Sequence, residues 1–196
     1  MIENLTGKKY LEQNLMPLIE KMKMTNSDSY ILESLGIFDK PSLQSINIQF
    51  GIKIETFWNK VISDSNATNL IENNNLIKIG DNNKQQDHFF SVEEKYYYLE
   101  SKCNLNLDSE KIKASNQKIK EIQNKHSDKL DNIVVGYFVP VKPIIPNDII
   151  KKYKKSNINV YGVNWLFSVI NIPFSQEEYF LFLKNEVRNK LIEKGL

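Results

Sequence analysis

Asp87, Glu100 and Lys102 are the residues whose types and spacing point to chemistry. Residues two apart on a strand share a face, so Glu100 and Lys102 project together from the aromatic segment Tyr96 to Lys102. A second extended segment, Asp87 to Val92, lies just upstream, and Glu93-Glu94-Lys95 between them reads as a hairpin turn. Such a hairpin brings Asp87, at the start of one strand, to the end of its partner, where Glu100 and Lys102 stand. Two carboxylates that close repel each other unless a cation lies between them. A divalent ion relieves the repulsion and lowers the pKa of a bound water. An ammonium beside the pair can orient that water and offset charge building on a pentavalent phosphate.

Composition narrows what else the chain can do. It has 196 residues, enough for one domain with a sizeable core, and its 41% hydrophobic content argues against a disordered chain. A single cysteine, Cys103, excludes an internal disulfide framework and a cysteine-built zinc site. Two histidines, His88 and His126, cannot form a three-histidine centre, so any metal must be held largely by oxygen, which favours hard cations such as Mg²⁺. No apolar run approaches the roughly 20 residues that cross a bilayer. The start, Met1-Ile2-Glu3-Asn4-Leu5, lacks the pattern of a signal peptide, and the expectation is a soluble cytoplasmic protein with no membrane partner. A net charge of +2 is too small to argue for nucleic acid by itself. Arg188 is the only arginine among 26 basic residues, and with runs such as Asn73-Asn74-Asn75 this reads first as the coding bias of an AT-rich genome.

The elements that must position the three residues follow from periodicity. Leu11, Leu15, Leu18, Ile19 and Met22 recur at helical spacing, with Pro17 as a kink or a fresh start. Ser27 can cap a short helix through Leu35, ended by Gly36. A longer helix is expected from Ser42 to about Ile62, with Ile46, Phe50, Ile54, Phe57 and Val61 as its buried stripe. Ser63 to Asn75 reads as a loop or a frayed helix, Leu76 to Ile79 as a short strand, and Gly80-Asp81-Asn82-Asn83 as a turn. After the hairpin comes a lysine-dense helix from about Asp108 to Lys125, then the apolar run Ile133 to Val139 as a strand covered on both faces. A basic helix (Ile149 to Lys155), a strand (Asn159 to Val163) and helical segments to Leu196 complete an α/β pattern with a mixed central sheet.

The pattern Asp87, then thirteen residues on Glu100-Ser101-Lys102, resembles the PD-(D/E)XK motif of the restriction-endonuclease-like nuclease superfamily. Gln86 stands where that motif has proline. The order of the elements around Gln86-Asp87 and Glu100-x-Lys102, followed by Asn104-Leu105-Asn106-Leu107-Asp108, is similar to small type II restriction endonucleases over about Phe50 to Val139. The resemblance implies a restriction-endonuclease-like core at 42–170 with helices flanking a mixed sheet. A helical N-terminal region at 1–41 and a C-terminal helix at 171–196 make up the rest of one domain.

The resemblance further implies that Asp87 and Glu100 ligate Mg²⁺, that the Ser101 carbonyl adds a ligand, and that Lys102 supports the attacking water. Glu55, on the helix before the sheet, matches a glutamate that often joins the metal site. The implied reaction is hydrolysis of double-stranded DNA at a specific sequence by in-line attack of water, leaving 5′-phosphate ends. A homodimer and a separate, non-binding DNA methyltransferase are the implied company. Lys84, Gln85, Asn104, Asn106, Lys111, Lys113, Asn116 and Gln117 are the candidate DNA contacts. Other nucleases of the superfamily, such as a junction resolvase, a repair nickase or a homing enzyme, and a non-cleaving DNA-binding protein are the alternatives.

Several neighbours carry two readings. Lys111, Lys113, Lys118 and Lys120 can follow a phosphate backbone or form a solvated helix face. Asn116 and Gln117 can read base edges or bond locally. His88 beside Phe89 and Phe90 reads as a packed residue more than a ligand, and Tyr96 and Tyr98 as hairpin packing more than DNA stacking. Cys103, Trp58 and Trp165 are expected in the core, and the run Lys151 to Lys155 on a solvated face.

Overall fold

A computed structural model of the protein describes residues 7–22, 43–71, 76–79, 82–105, 109–127 and 133–194. The short helix expected from Ser27 to Leu35 and the candidate contact Asn106 lie outside them. The chain divides into two compact units. One comprises Met1–Phe57 and Pro173–Leu196, the other Trp58–Ile172.

The first unit is helical. Helix α1 (Gly7–Asn14) gives way at Leu15 to α2 (Met16–Glu20), where Pro17 occupies the first turn, the one place in a helix that loses nothing by its missing N–H. Leu11, Leu15 and Ile19 are fully buried at the expected spacing. Helix α3 (Leu43–Asp64) runs unbroken through Gly51, and its Phe57 stacks on Tyr179 with ring centroids 6.0 Å apart. Tyr179 belongs to α7 (Gln176–Phe182), which Ser175 opens with a full capping box. Its hydroxyl accepts from the Glu178 N–H, and the Glu178 carboxylate accepts from the Ser175 N–H. A π-helical turn, Leu183–Val187, widens the C-terminal run before α8 (Arg188–Glu193).

The second unit is α/β, built on a five-stranded mixed sheet. Its strands are β1 (Thr68–Asn69), β4 (His88–Val92), β5 (Lys95–Ser101), β6 (Ile133–Val139) and β7 (Asn159–Gly162), in that spatial order. Strand β4 runs antiparallel to β1 and β5, while β5, β6 and β7 are parallel. The parallel steps need crossovers, supplied by α4 (Ser109–Ser127) and α5 (Asn147–Lys154). A short helix α6 (Val163–Phe167) follows β7. The β4–β5 hairpin closes on Glu93-Glu94, with Glu93 in the left-handed region at φ 53°.

Both faces of the sheet are covered. On one, Phe89, Tyr98, Tyr137 and Val139 pack with Ile119 and Ile122 of α4 and Tyr153 of α5. On the other, Trp58 meets Phe138 edge-on at 5.3 Å, and Phe90 stacks on Tyr97 at 5.0 Å. The continuous apolar run of β6 therefore reflects burial on both sides.

Four local expectations are corrected. Thr68 and Asn69, read as loop or frayed helix, form an edge strand registered against Ser91 and Phe90. Asn82 and Asn83, read as a turn, begin β3 (Asn82–Gln85), which pairs with β2 (Leu76–Ile79) as a separate ribbon outside the main sheet. Asn-rich segments carry little strand propensity, so neither pairing is signalled locally. Cys103 is half-buried, because the strand ends at Ser101 and alternation no longer governs it. Trp165 is half-buried too, stacked on Tyr161 at 4.0 Å. No helix among the described residues is long and apolar enough to cross a membrane.

Candidate active site

The hairpin register places His88 opposite Leu99 and Phe89 opposite Tyr98. Continued by one residue, it sets Asp87 against Glu100. Both acids share the parity of Phe89 and Tyr98, so both lie on the face that α4 covers. Like charges directly opposed across a sheet destabilise it unless something compensates them. Here the compensation is detailed. Asp87 Oδ2 accepts the Ser101 N–H at 2.9 Å. Glu100 Oε1 accepts from Lys102 Nζ at 2.7 Å, and Oε2 accepts from the Tyr98 hydroxyl at 2.8 Å. Lys118 Nζ, arriving from α4, bridges the acids, 2.5 Å from Glu100 Oε2 and 3.3 Å from Asp87 Oδ1.

Asp87 and Glu100 are both buried. Burial, then the Glu100 charge, pushes the Asp87 carboxyl up to about 6, against the pull of Lys118, Lys102 and the Ser101 N–H. Glu100 is buried as deeply, but the Lys102 and Lys118 ammoniums outweigh desolvation and hold it below the usual carboxylate range. Lys118, itself desolvated, is held above the usual lysine range by the two carboxylates. The two acids sit in one pocket with their proton affinities pushed apart.

A second layer fixes the strand that carries Asp87. Asn59, on α3, donates its amide to the Asp87 carbonyl at 2.9 Å, and its Oδ1 lies 2.7 Å from His88 Nδ1. With Asn59 Oδ1 as acceptor, His88 carries its proton on Nδ1. His88 is fully buried and packs edge-on against Phe138; burial holds its pKa down to about 3, so it stays neutral. It therefore stands on the face opposite Asp87, as a packed residue.

The structure thus gathers Asp87, Glu100, Ser101 and Lys102. Glu55 lies half-buried on the part of α3 that belongs to the first unit, one helical turn before Asn59. Among the proposed DNA contacts, Lys113, Asn116 and Gln117 line an open groove of about 640 Å³ along α4, with Lys120, Asn124 and Ser156. Asn116 is buried and its Oδ1 accepts the Tyr137 hydroxyl at 2.6 Å, while Gln117 donates to Glu121 at 2.8 Å. Lys111 is exposed on the same helix, Asn104 is exposed after β5, and Gln85 is exposed at the end of β3, where Lys84 pairs with Ile77.

Two members of the cluster are absent from the sequence expectation, Lys118 as an acid partner and Asn59 as the clamp. For Lys118 a partial signal exists, since it stands three residues after Ser115 and four before Ile122, on the flank of the stripe that α4 buries.

The donor set suits a hard divalent ion. Its side-chain atoms are carboxylate oxygens, and an ammonium already stands where one cation touches both acids. Among the described residues no group of three or more His, Cys, Asp or Glu side chains gathers. A hard divalent ion bound here would have the two carboxylates, backbone oxygen and water to meet it. No family model matches the chain, and no curated protein matches it.

Proposed function

We propose that this protein is a Mg²⁺-dependent endonuclease that hydrolyses phosphodiester bonds at a specific sequence of double-stranded DNA, on a restriction-endonuclease-like core. One observation carries the reading: two buried carboxylates meet across the end of a hairpin with a lysine ammonium 2.7 Å from one of them. The surrounding order, a helix, a hairpin bearing the acids, a crossover helix and a parallel strand, supports it.

Bound at this point, Mg²⁺ would be held by Asp87, Glu100 and the Ser101 carbonyl, with Glu55 as a further candidate, and would supply a Lewis acid and an acidified water. The chain's own residues do the rest. Ser101 N–H and the Asn59 amide hold Asp87 at both its carboxylate and its carbonyl. Tyr98 orients Glu100. Lys102, partly buried at the strand end, can present its ammonium to a water or to the phosphate oxygens as charge develops there. Lysines 111, 113 and 120 of α4 offer phosphate contacts, while the amides of Asn116 and Gln117 are engaged locally, by Tyr137 and Glu121. Cutting both strands of a palindrome with one such site per chain calls for a homodimer in the cytoplasm, with a separate methyltransferase protecting host DNA.

A second reading, a DNA-binding protein that does not cleave, draws on one specific observation. Two carboxylates and two ammoniums already make a neutral cluster. Digestion of supercoiled plasmid with and without Mg²⁺ separates the two. The endonuclease gives discrete linear fragments only with Mg²⁺, and Lys102→Ala abolishes them while retaining DNA binding. Retarded but intact plasmid at every Mg²⁺ concentration supports the second reading, and nicked circles point to a nickase on the same core.

A further inference from the structure

Five lysines stand on α4, and four of them, Lys111, Lys113, Lys120 and Lys125, are exposed. Lys118 is the exception. Its side chain is only 17% exposed, and it runs along the flank of the stripe formed by Ile112, Ile119 and Ile122 to reach the carboxylates. Burying a lysine costs its hydration, and this one recovers the loss through both acids at once. It is the only ion-pair partner of Asp87 among the described residues. Lys102, by contrast, touches Glu100 alone.

We propose that Lys118 is a positioning residue that serves as the built-in counter-cation of the Asp87–Glu100 pair, holding the two carboxylates together in the metal-free protein and yielding its place when a divalent ion enters. The inference rests on the metal-dependent reading given above. Its physical basis is competition for the same atoms. Lys118 Nζ engages Asp87 Oδ1 and Glu100 Oε2, one oxygen from each acid. The other two oxygens are taken by the Ser101 N–H and by Lys102. A cation that bridges the pair through Asp87 Oδ1 and Glu100 Oε2 meets the oxygens Lys118 now holds, so ammonium and metal compete there. The neutral cluster is then a closed form of the site, and the ion-binding form has Lys118 turned away. Without Lys118 the acids would face each other across the hairpin with Lys102 on one only, and their repulsion would spread the pair.

The test reads metal affinity and fold integrity, with cleavage secondary. Titration calorimetry of the full-length protein with Mg²⁺, without DNA, is compared for wild type, Lys118→Met and Lys118→Arg. Methionine keeps an unbranched apolar stem, one atom shorter than lysine, and removes the charge. Lys118→Met should bind Mg²⁺ about tenfold or more tightly than wild type, because no ammonium has to be displaced, and its metal-free form should melt at lower temperature. Lys118→Arg, which keeps the charge, should bind no more tightly than wild type. The Mg²⁺ concentration for half-maximal cleavage should fall in Lys118→Met along with the dissociation constant.

Equal or weaker Mg²⁺ binding by a folded Lys118→Met, with wild type binding and cutting normally, overturns the counter-cation role and leaves the nuclease reading standing. If no variant and no wild-type protein binds Mg²⁺, the metal-dependent reading fails and this role falls with it. Should Lys118→Met not fold, the unmutated protein still decides. The Nζ resonance of Lys118, observed by ¹⁵N NMR, should shift as Mg²⁺ is added. A calorimetric binding heat without any such shift contradicts the proposal.

Discussion

The burial of Asp87 beside Glu100 sets how this site responds to pH. Desolvation, with the neighbouring charge, lifts the Asp87 carboxyl to about 6, so its proton stays on over a range where an exposed aspartate has lost it. A group whose folded pKa is raised contributes stability that is full below its unfolded value and lost as pH rises through the folded one. Asp87 therefore favours the fold at pH 4 and weighs against it at pH 8, where a bound cation restores the balance. Thermal unfolding checks this. Added Mg²⁺ should raise the midpoint clearly at pH 8 and little at pH 5, because the protonated carboxyl no longer competes for the ion. Cleavage at limiting Mg²⁺ should fall by about tenfold per pH unit below 6, one proton being exchanged for the ion. A midpoint shift independent of pH would remove Asp87 as a ligand.

Legibility at this scale followed the period of the element. Strand alternation and a short turn are short-range facts, and reading the turn as Glu93-Glu94-Lys95 was enough to bring Asp87 toward Glu100 and Lys102 from the sequence, although Lys95 itself opens β5. Lys118 enters from a different element, eighteen residues beyond Glu100, and its meeting with the acids depends on how α4 is rotated over the sheet. A helical pattern shows that Lys118 borders the buried stripe, but not which strand lies beneath it. Asn59 has the same character, since a polar residue inside an apolar helix announces a partner without naming one.

Among the elements, β6 is the most constrained by its neighbours. A Cβ added at Gly136 would lie 2.7 Å from the Asn159 carbonyl oxygen and 2.6 Å from the Tyr161 ring on β7. The ring can swing aside, but the backbone oxygen belongs to the strand paired with Gly136. Gly136→Ala should cost about 1–3 kcal/mol, the usual range for overpacking, read as a lower denaturation midpoint with an unchanged slope. Unchanged stability would mean that the β6–β7 edge gives way easily. Helix α3 poses a functional question instead. It delivers Asn59 to the Asp87 strand and carries Glu55 one turn earlier. Glu55→Gln should slow cleavage several-fold, more mildly than the loss of Lys102, and full activity would make Glu55 a structural residue. The long helices and the hairpin were legible because their periodic runs are long. Strands β1 and β3 were not, since four-residue or shorter Asn-rich pieces are fixed by pairing with a partner and not by their own propensity.

For the whole molecule, the chain passes between the two units twice, between Phe57 and Trp58 inside a continuous helix and between Ile172 and Pro173. No glycine- or proline-rich linker marks the first passage, so composition carries no signal there. Charge is similarly reticent: 26 basic and 24 acidic residues nearly cancel, and the lysines matter through where α4 places them. On the proposed endonuclease reading, with arginine nearly absent, readout would fall to lysine, asparagine and glutamine, which tilts the expected target towards A·T-containing sites. If the proposed double-strand cleavage holds, a dimer is expected, and sedimentation should give about twice the 22.9 kDa chain mass. A monomer that still makes double-strand breaks would contradict that assembly. Sequencing the ends of genomic DNA incubated with the protein and Mg²⁺ decides between cleavage and binding alone. Endonuclease activity should give 5′-phosphate ends at one recurring short sequence, absent with Lys102→Ala; DNA left uncut by a folded protein across the full range of Mg²⁺ and pH would contradict it.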